Sequence, residues 1–481
     1  MDKRVVPSLL YYGVIPLLLS FLTFAIMEFV NNVIAATLLS LTMGGFFVGY
    51  FILKKGTFRD SLIIILAPLA YTAVLWAAFM VITGGFYGAE AWLIYSIFHV
   101  ALAPIYFFAM LMGEGRLFLW GPLSYELSIV LGAFIFLFSR KIWPVFHKRR
   151  LYSILTIFIL ALGTGAAVQL QRSKTVLPSY GFEYGGGYSS TDLTPYDVVN
   201  PDNKLPKLGE EPTFKISSPS EMPILDGAEA AYPVYSAFAN EVYENIRKVV
   251  GDYPEIVTFT NTIYAYDRLL TGDVDIYFGA EPSKEQQEMA KAAGKELVMT
   301  PIGKEAFVFF VNPSNKVNSL SVNEIKRIYS GDIKNWAELG GRAEKIVAFQ
   351  RPKNSGSQTL LEKIMDNTPL IKPLKEDVPE GMGGIIEQVA DYRNYDNSLG
   401  FSFRFFATGM RANPDIKLLA INGAEPTPEN IANGAYPFTA NLYAITVKDN
   451  PKPAIEPFLT WMRSPQGQNL IEQIGYIKAV E

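Results

Sequence analysis

Residues 351 to 359 read RPKNSGSQT: an arginine, then Ser-Gly-Ser, then Gln-Thr leading into the apolar-periodic LLEKIM. A helix that begins here offers unpaired backbone N–H groups and a partial positive charge. Ser355, Gly356 and Ser357 can therefore wrap an anion while the Arg351 guanidinium pairs with it. The chemistry this stretch suggests is capture of an oxyanion. The same residues also suit a plain N-cap beside a solvated arginine, and on their own they leave both readings open.

Other chemistries have little to work with. The chain has no cysteine and two histidines, His99 and His147, so disulfides and thiolate metal sites are excluded and no imidazole follows residue 147. Zinc hydrolysis and Ser-His catalysis are thereby removed from the carboxyl half. Neither GEGR nor GTGAAV carries the Gly-Lys-Ser/Thr of a phosphate-binding loop. Net charge is −4 with no basic stripe, so nucleic acid is not an expected partner. We expect a binding protein without a cofactor, and not an enzyme.

The elements that must position this cluster fall into two regimes. The chain has 481 residues, 50% hydrophobic and 18% charged, with mean hydropathy +0.18. That average conceals an apolar region, residues 1 to 170, and a polar region that carries most of the Asp, Glu, Lys, Pro and Asn. Apolar segments run from Leu9 to Val30, Val33 to Leu53, Leu62 to Thr83, Trp92 to Met112, Leu117 to Phe138 and Leu151 to Leu170. Each approaches the ~20 residues that span hydrocarbon, and the first lacks the cleavage site of a signal peptide. Contact with membrane lipid follows.

Six crossings with the carboxyl half outside would leave more Lys and Arg on the outer side than on the inner, against the positive-inside rule. If one segment fails to cross, the basic run from Arg140 to Arg150 and the earlier basic loops become cytoplasmic together. Leu117 to Phe138, with Gly121-Pro122 and Glu126, is the expected exception, so five or six helices cross. His99 and Glu126 sit in apolar segments, where an ionisable group marks either function or a buried hydrogen bond.

Residues 171–213, rich in Gly, Pro, Ser and Tyr without periodicity, read as a linker. Beyond them strands and helices alternate. VDIYFGA and EAFVFFVN suit buried strands, and Ser283 with Gln286 and Ser321 with Glu324 have capping-box spacing. The pattern is that of an α/β domain at 214–481, large enough for two lobes.

Several stretches in order, DGAEAAYPVY, TNTIYAYDRLLTGDVDIYFGAEPS, LSVNEIKRIYSGDIKNWAELGG, RPKNSGSQT and NSLGFSF, resemble the type II periplasmic binding proteins. Within these, the region is similar to the phosphate-binding subunit of the high-affinity phosphate ABC transporter. The resemblance covers residues 214 to 481 and nothing earlier. It implies an α/β two-lobe domain outside the cell membrane, which here follows the α-helical membrane bundle expected from the apolar segments. Inorganic phosphate or a similar oxyanion would be its ligand and ABC permease subunits its partners. By the same resemblance Arg351, Ser355, Gly356 and Ser357 form the oxyanion seat, with Ser357 where the family usually has Thr.

The remaining carry-over is uneven. Thr260, Asn261 and Thr262 fall where the family has a Ser-rich turn, and Glu281 matches the carboxylate that accepts the ligand proton. Gly227, Tyr232 and Pro233 fit the loop before the first long helix, but Ala228, Glu229 and Ala231 supply no hydroxyl, and an inward Glu229 would repel an anion. Phe401, Phe403, Phe405, Phe406 and Trp336 read as packing residues. The expected function is a membrane-tethered solute-binding protein, in uptake or sensing. A fused permease, and a binding fold turned to signalling or protein contact, are the alternatives.

Overall fold

The computed structural model describes residue 6 and residues 9–30, 32–52, 58–112, 114–141, 148–177, 191–380, 384–390, 392–410 and 415–479. Residues 142–147 of the Arg140 to Arg150 run, His147 among them, and the Gly-Tyr-rich core of the linker lie outside them. The chain forms two units: Met1–Gly187 with Leu374–Gln388, and Tyr188–Pro373 with Val389–Glu481.

Among the described residues of the first unit five helical stretches are long and apolar enough to cross a membrane: Leu10–Met27, Val33–Phe51, Ile65–Thr83, Leu117–Ser139 and Leu151–Arg172. A sixth candidate is a pair, Glu90–Phe98 and Val100–Leu111, bent by 112°. The break therefore falls in the segment from Trp92 to Met112, and Leu117 to Phe138, expected to be the exception, is one continuous helix. Pro122 interrupts that helix at little cost, because the carbonyl of Phe118, four residues earlier, accepts the Tyr95 hydroxyl at 2.9 Å. In the bent pair Pro104 occupies the first turn of the second arm, where proline is tolerated, so the helix restarts there and does not continue through His99.

The helices Val33–Ile52 and Leu117–Ser139 approach so closely that only glycine fits between them. A Cβ on Gly49 would lie 2.0 Å from the Ile129 carbonyl oxygen, and one on Gly132 would lie 2.1 Å from that of Phe46. Small residues at such a crossing let backbones pack where burial of apolar surface supplies no drive.

After Arg172 the chain forms a short strand, Val176–Leu177, parallel to Lys375–Glu380, with Gly384–Val389 beyond it. Arg172 clamps this sheet: its guanidinium lies 2.6 Å from Asp377 and 2.9 Å from Glu387, and Lys375 is 2.6 Å from Glu387. Burial raises the Asp377 carboxyl above its ordinary value. Burial acts the same way on Glu387, but the two cations outweigh it and hold that carboxyl low.

The second unit is built on a sheet in the order Leu225–Gly227, Ile276–Gly279, Thr439–Val447, Leu297–Val311, Ser398–Phe403 and Val347–Ala348. Two cores flank it. One gathers Leu225, Phe238, Phe278, Ile302, Phe405, Leu442 and Trp461; the other gathers Ala306, Phe309, Ile328, Trp336, Leu361, Phe401 and Phe438. These are the two lobes. Among the described residues, stretches of chain that pass from one core to the other include Ile302 to Ala306, Phe401 to Phe405 and Phe438 to Leu442.

Part of the expected linker belongs to the first lobe. Val198 and Leu205 are buried in its core, and the Thr213 N–H donates to Gln466 at 2.8 Å. Apolar residues spaced among Pro and Asn pack one at a time, without a helical or strand period to reveal them. Both capping boxes form, at Ser283 with Gln286 and at Ser321 with Glu324.

Candidate functional site

In each lobe the candidate residues follow the carboxyl end of a strand, where ligands bind in open α/β sheets. Leu225–Gly227 and Ile276–Gly279 run parallel with Gly227 opposite Phe278, so the segments leaving them start side by side. Gly227 is required by this approach, since a Cβ would stand 2.2 Å from the Phe278 carbonyl oxygen. The first segment leads to the helix Tyr232–Val242, the second to Ala280, Glu281 and the helix Lys284–Ala292. In the other lobe Val347–Ala348 leads to Gln350 and the Arg351 loop.

Ser355 caps the helix Gly356–Met365, its hydroxyl accepting the Gln358 N–H at 3.4 Å. Gly356 and Ser357 are the first two helical residues, whose N–H groups have no intrahelical partner. Gln358 fixes the loop from the other side, its side-chain oxygen accepting the Arg351 N–H at 2.9 Å. Asn354 takes a left-handed conformation, φ +66°, which turns the chain into the cap. Arg351, Ser355, Gly356 and Ser357 are all half-exposed.

This loop meets the first lobe directly. A Cβ on Gly356 would lie 3.6 Å from Ala280 Cβ and 3.7 Å from the Phe403 ring. The Ser283 hydroxyl donates to Asn354 Oδ1 at 2.9 Å, and Lys353 lies 2.5 Å from Glu285. Phe403 thus borders the seat, while Phe401 and Phe405 are buried, one in each core. Trp336 packs, its indole N–H donating to the Asn397 carbonyl at 2.9 Å.

Several other candidates have partners in the protein. Thr260 donates to Asp226 twice, from its N–H at 2.9 Å and its hydroxyl at 2.7 Å, so the donor expected to face a ligand is directed into the lobe. Asp226 is fully buried and also pairs with Arg268. Asn261, with φ +70°, opens the helix Asn261–Thr271, and Thr262, its second residue, is half-buried. Tyr232 is buried, which pushes its phenol up to about 12. Glu281 pairs with Lys363 at 2.8 Å, both side chains being exposed, and such a pair contributes little. Glu229 is half-buried in the turn Glu229–Ala231 that precedes the Tyr232 helix.

Asp226, Ser283 and Asn354 are the site-forming residues that sequence reasoning missed. An aspartate inside a buried strand, directly before Gly227, was the available signal for the first. Among the described residues no group of three or more His, Cys, Asp or Glu side chains is placed to hold a metal ion.

The pattern of the PBP superfamily domain matches residues 224–466, half of the chain. The chain belongs to that superfamily. It is similar to the phosphate-binding protein PstS of Bacillus subtilis, 30% identical over 173 residues, which are 36% of this chain and 54% of the relative. It is also similar to PstS of Borreliella burgdorferi, 23% identical over 176 residues, 36% of this chain and 63% of the relative. The chain thus spans between half and two thirds of these relatives. Among solved structures it is similar to an ABC-type phosphate transport receptor from Vibrio cholerae, at 20% identity and TM-score 0.38, covering 55% of this chain and 99% of the other. The fold of the second unit is that of a periplasmic binding protein, preceded by apolar helices.

Proposed function

We propose that the second unit binds phosphate or a related tetrahedral oxyanion between its lobes, outside a membrane that the apolar helices cross. The observation that carries this reading is the junction of the Ser355-capped helix start with Ala280. It brings free helix N–H groups and the Arg351 loop against the carboxyl end of a strand in the opposite lobe. The names of the two curated relatives support phosphate as the class. No covalent chemistry is needed: donors in a partly desolvated cleft hold the anion, and the lobes close on it.

Five crossings, with the bent pair dipping in from the outer side, reconcile the topology with charge. The amino terminus and the loops at Lys54 and Arg140 are then inside and Arg172 is outside. Sensing is favoured over cargo delivery by the chain path: nine residues after the seat helix ends at Met365, the chain enters Leu374–Gln388, which belongs to the unit of apolar helices. Delivery to ABC permease subunits is the other use of the same site, and a cleft turned to protein contact is the competing reading.

Calorimetry on the full chain in nanodiscs, with phosphate, sulfate and arsenate, tests the assignment. Wild type should bind at least one of them, and Arg351→Ala, monodisperse and folded, should lose ~2–5 kcal/mol, the range for one side of a charged pair removed. Unchanged affinity in that variant would reject the seat. The chain lacks cysteine, so single thiols report sidedness: Asp202→Cys should react with an impermeant maleimide in intact cells, and Ser139→Cys only after permeabilisation.

A further inference from the structure

We propose that the apolar unit carries a second binding site, for a lipid-soluble alcohol, in the cavity beside the broken helix at His99; this rests on the membrane reading above, not on the oxyanion seat. The cavity has a volume of about 530 Å3 and is lined by side chains that include Tyr12, Tyr71, Phe98, His99, Val100 and Glu126. That is the size range of small-molecule sites.

Its mouth and its end differ in chemistry. Tyr71, Phe98 and Val100 are 46%, 53% and 69% exposed on the surface of a unit whose helices are apolar all round, so the cavity opens where hydrocarbon would lie. Glu126 is buried, and its Oε1 accepts the Thr72 hydroxyl at 2.8 Å. The same Thr72 oxygen lies 3.1 Å from His99 Nε2. A hydroxyl has one proton, and Thr72 has given it to Glu126, so the His99 Nε2–H donates to Thr72. In the neutral imidazole this leaves Nδ1 as a bare acceptor.

Among the described residues, three buried polar atoms of the lining have no partner: His99 Nδ1, Glu126 Oε2 and Tyr12 Oη. Unsatisfied buried groups are costly, and each calls for an explanation. An alcohol head answers two of them at once. Its O–H donates to Nδ1 or to Oε2, and its lone pairs accept from Tyr12. Its alkyl chain covers the apolar walls. A neutral hydroxyl also enters from hydrocarbon more cheaply than an ammonium, which must shed its hydration.

The helix break is built rather than frayed. Side chains reach the carbonyls around it, that of Phe98 from the Tyr71 hydroxyl at 3.2 Å and that of Ala101 from the Ser20 hydroxyl at 3.1 Å, which is shared with the Pro16 carbonyl at 2.8 Å. Interrupted helices at membrane depth occur where the open backbone is buried or lines a cavity.

The test uses the full chain and a diazirine-bearing dodecan-1-ol as photolabel. Flotation with liposomes is scored first. A chain that does not float refutes the membrane reading, whereas one that floats without saturable labelling refutes the alcohol site alone. We expect saturable labelling of peptides containing Tyr71 and Phe98 to Leu102, competed by dodecan-1-ol and not by dodecane. His99→Phe, which keeps an aromatic ring and removes Nδ1, should weaken labelling at least tenfold. Ala67→Trp, at an exposed lining position, should block the cavity without disturbing the core. Labelling spread evenly over the lipid-facing helices, equal competition by dodecane, or stronger competition by dodecyltrimethylammonium would overturn the proposal.

Discussion

Asp226 and Thr260 are joined by two hydrogen bonds, at 2.9 and 2.7 Å, that tie the end of a buried strand to the start of the helix Asn261–Thr271. Both oxygens of the buried carboxylate are engaged, and Arg268 neutralises it. The pair positions the cleft wall of the first lobe without itself offering a donor to a ligand.

Removing this anchor should unfold the wall locally. Asp226→Ala strands the Arg268 guanidinium and the Thr260 donors, and breaking a buried pair from one side costs about 3–5 kcal/mol. Hydrogen exchange of the full chain should show faster exchange at residues 258–264, with a smaller effect in Asp226→Asn. Unchanged protection would mean that the loop is held by other contacts.

Glu305 gives the second unit a pH dependence. Its carboxyl lies where Leu297–Val311 passes between the cores, accepting the Ala306 N–H at 2.8 Å and the Phe405 N–H at 3.0 Å. Burial favours the neutral form and pushes it up to about 7 from the ordinary 4.5, against the pull of those two donors. Between these values the folded protein holds a proton that the unfolded chain has released. Stability from this group is therefore complete below pH 4.5, falls as pH rises, and is gone above about 7, by an amount on the order of 3 kcal/mol. Glu305→Gln should flatten that slope in denaturation of the full chain at several pH values. It should not simply stabilise, because one N–H then faces an amide donor.

Glu229 should set the affinity. A carboxylate that faces an oxyanion cleft opposes a dianion, and Glu229→Thr then removes it while supplying a hydroxyl. Phosphate should bind about tenfold more tightly, equivalent to ~1.4 kcal/mol. If Glu229 points to solvent at the helix start, the substitution should change little. Weaker binding in the variant would instead make Glu229 the acceptor of the ligand proton, in place of Glu281.

The helix crossing at Gly49 predicts a loss of assembly. Any Cβ there meets the Ile129 backbone, which cannot move as a side-chain tip can, so Gly49→Leu must separate the two helices. The variant should show a lower melting temperature in detergent. Gly163→Leu, at a position with open space around it, should melt as wild type does.

Arg172 should hold the sheet at its end of the apolar unit. Arg172→Ala leaves Asp377 and Glu387, both mostly buried, facing each other without their shared cation. Faster hydrogen exchange at residues 375–380 should follow, and Arg172→Lys should recover only part of the protection, since one ammonium does not reproduce the guanidinium fork.

The sequence by itself determined what depends on neighbours along the chain. Helix caps at Ser283, Ser321 and Ser355 were legible because a cap is a local bond between residues three apart. The apolar spans followed from length and hydropathy, and the two-lobe α/β domain from alternation and resemblance. Tertiary structure decided the rest, because the partners are far apart in sequence. That Thr260 is directed to Asp226, that Glu281 meets Lys363, and that Asn354 receives Ser283 are pairings across 34, 82 and 71 residues. The broken span was decided the same way. Pro122 looked like the breaker, but Tyr95 satisfies the carbonyl it frees, while the true break at His99 is sustained by Tyr71 and Ser20, hydroxyls contributed by other helices. A proline reports a missing donor locally; only the packed structure shows whether another side chain repairs the loss.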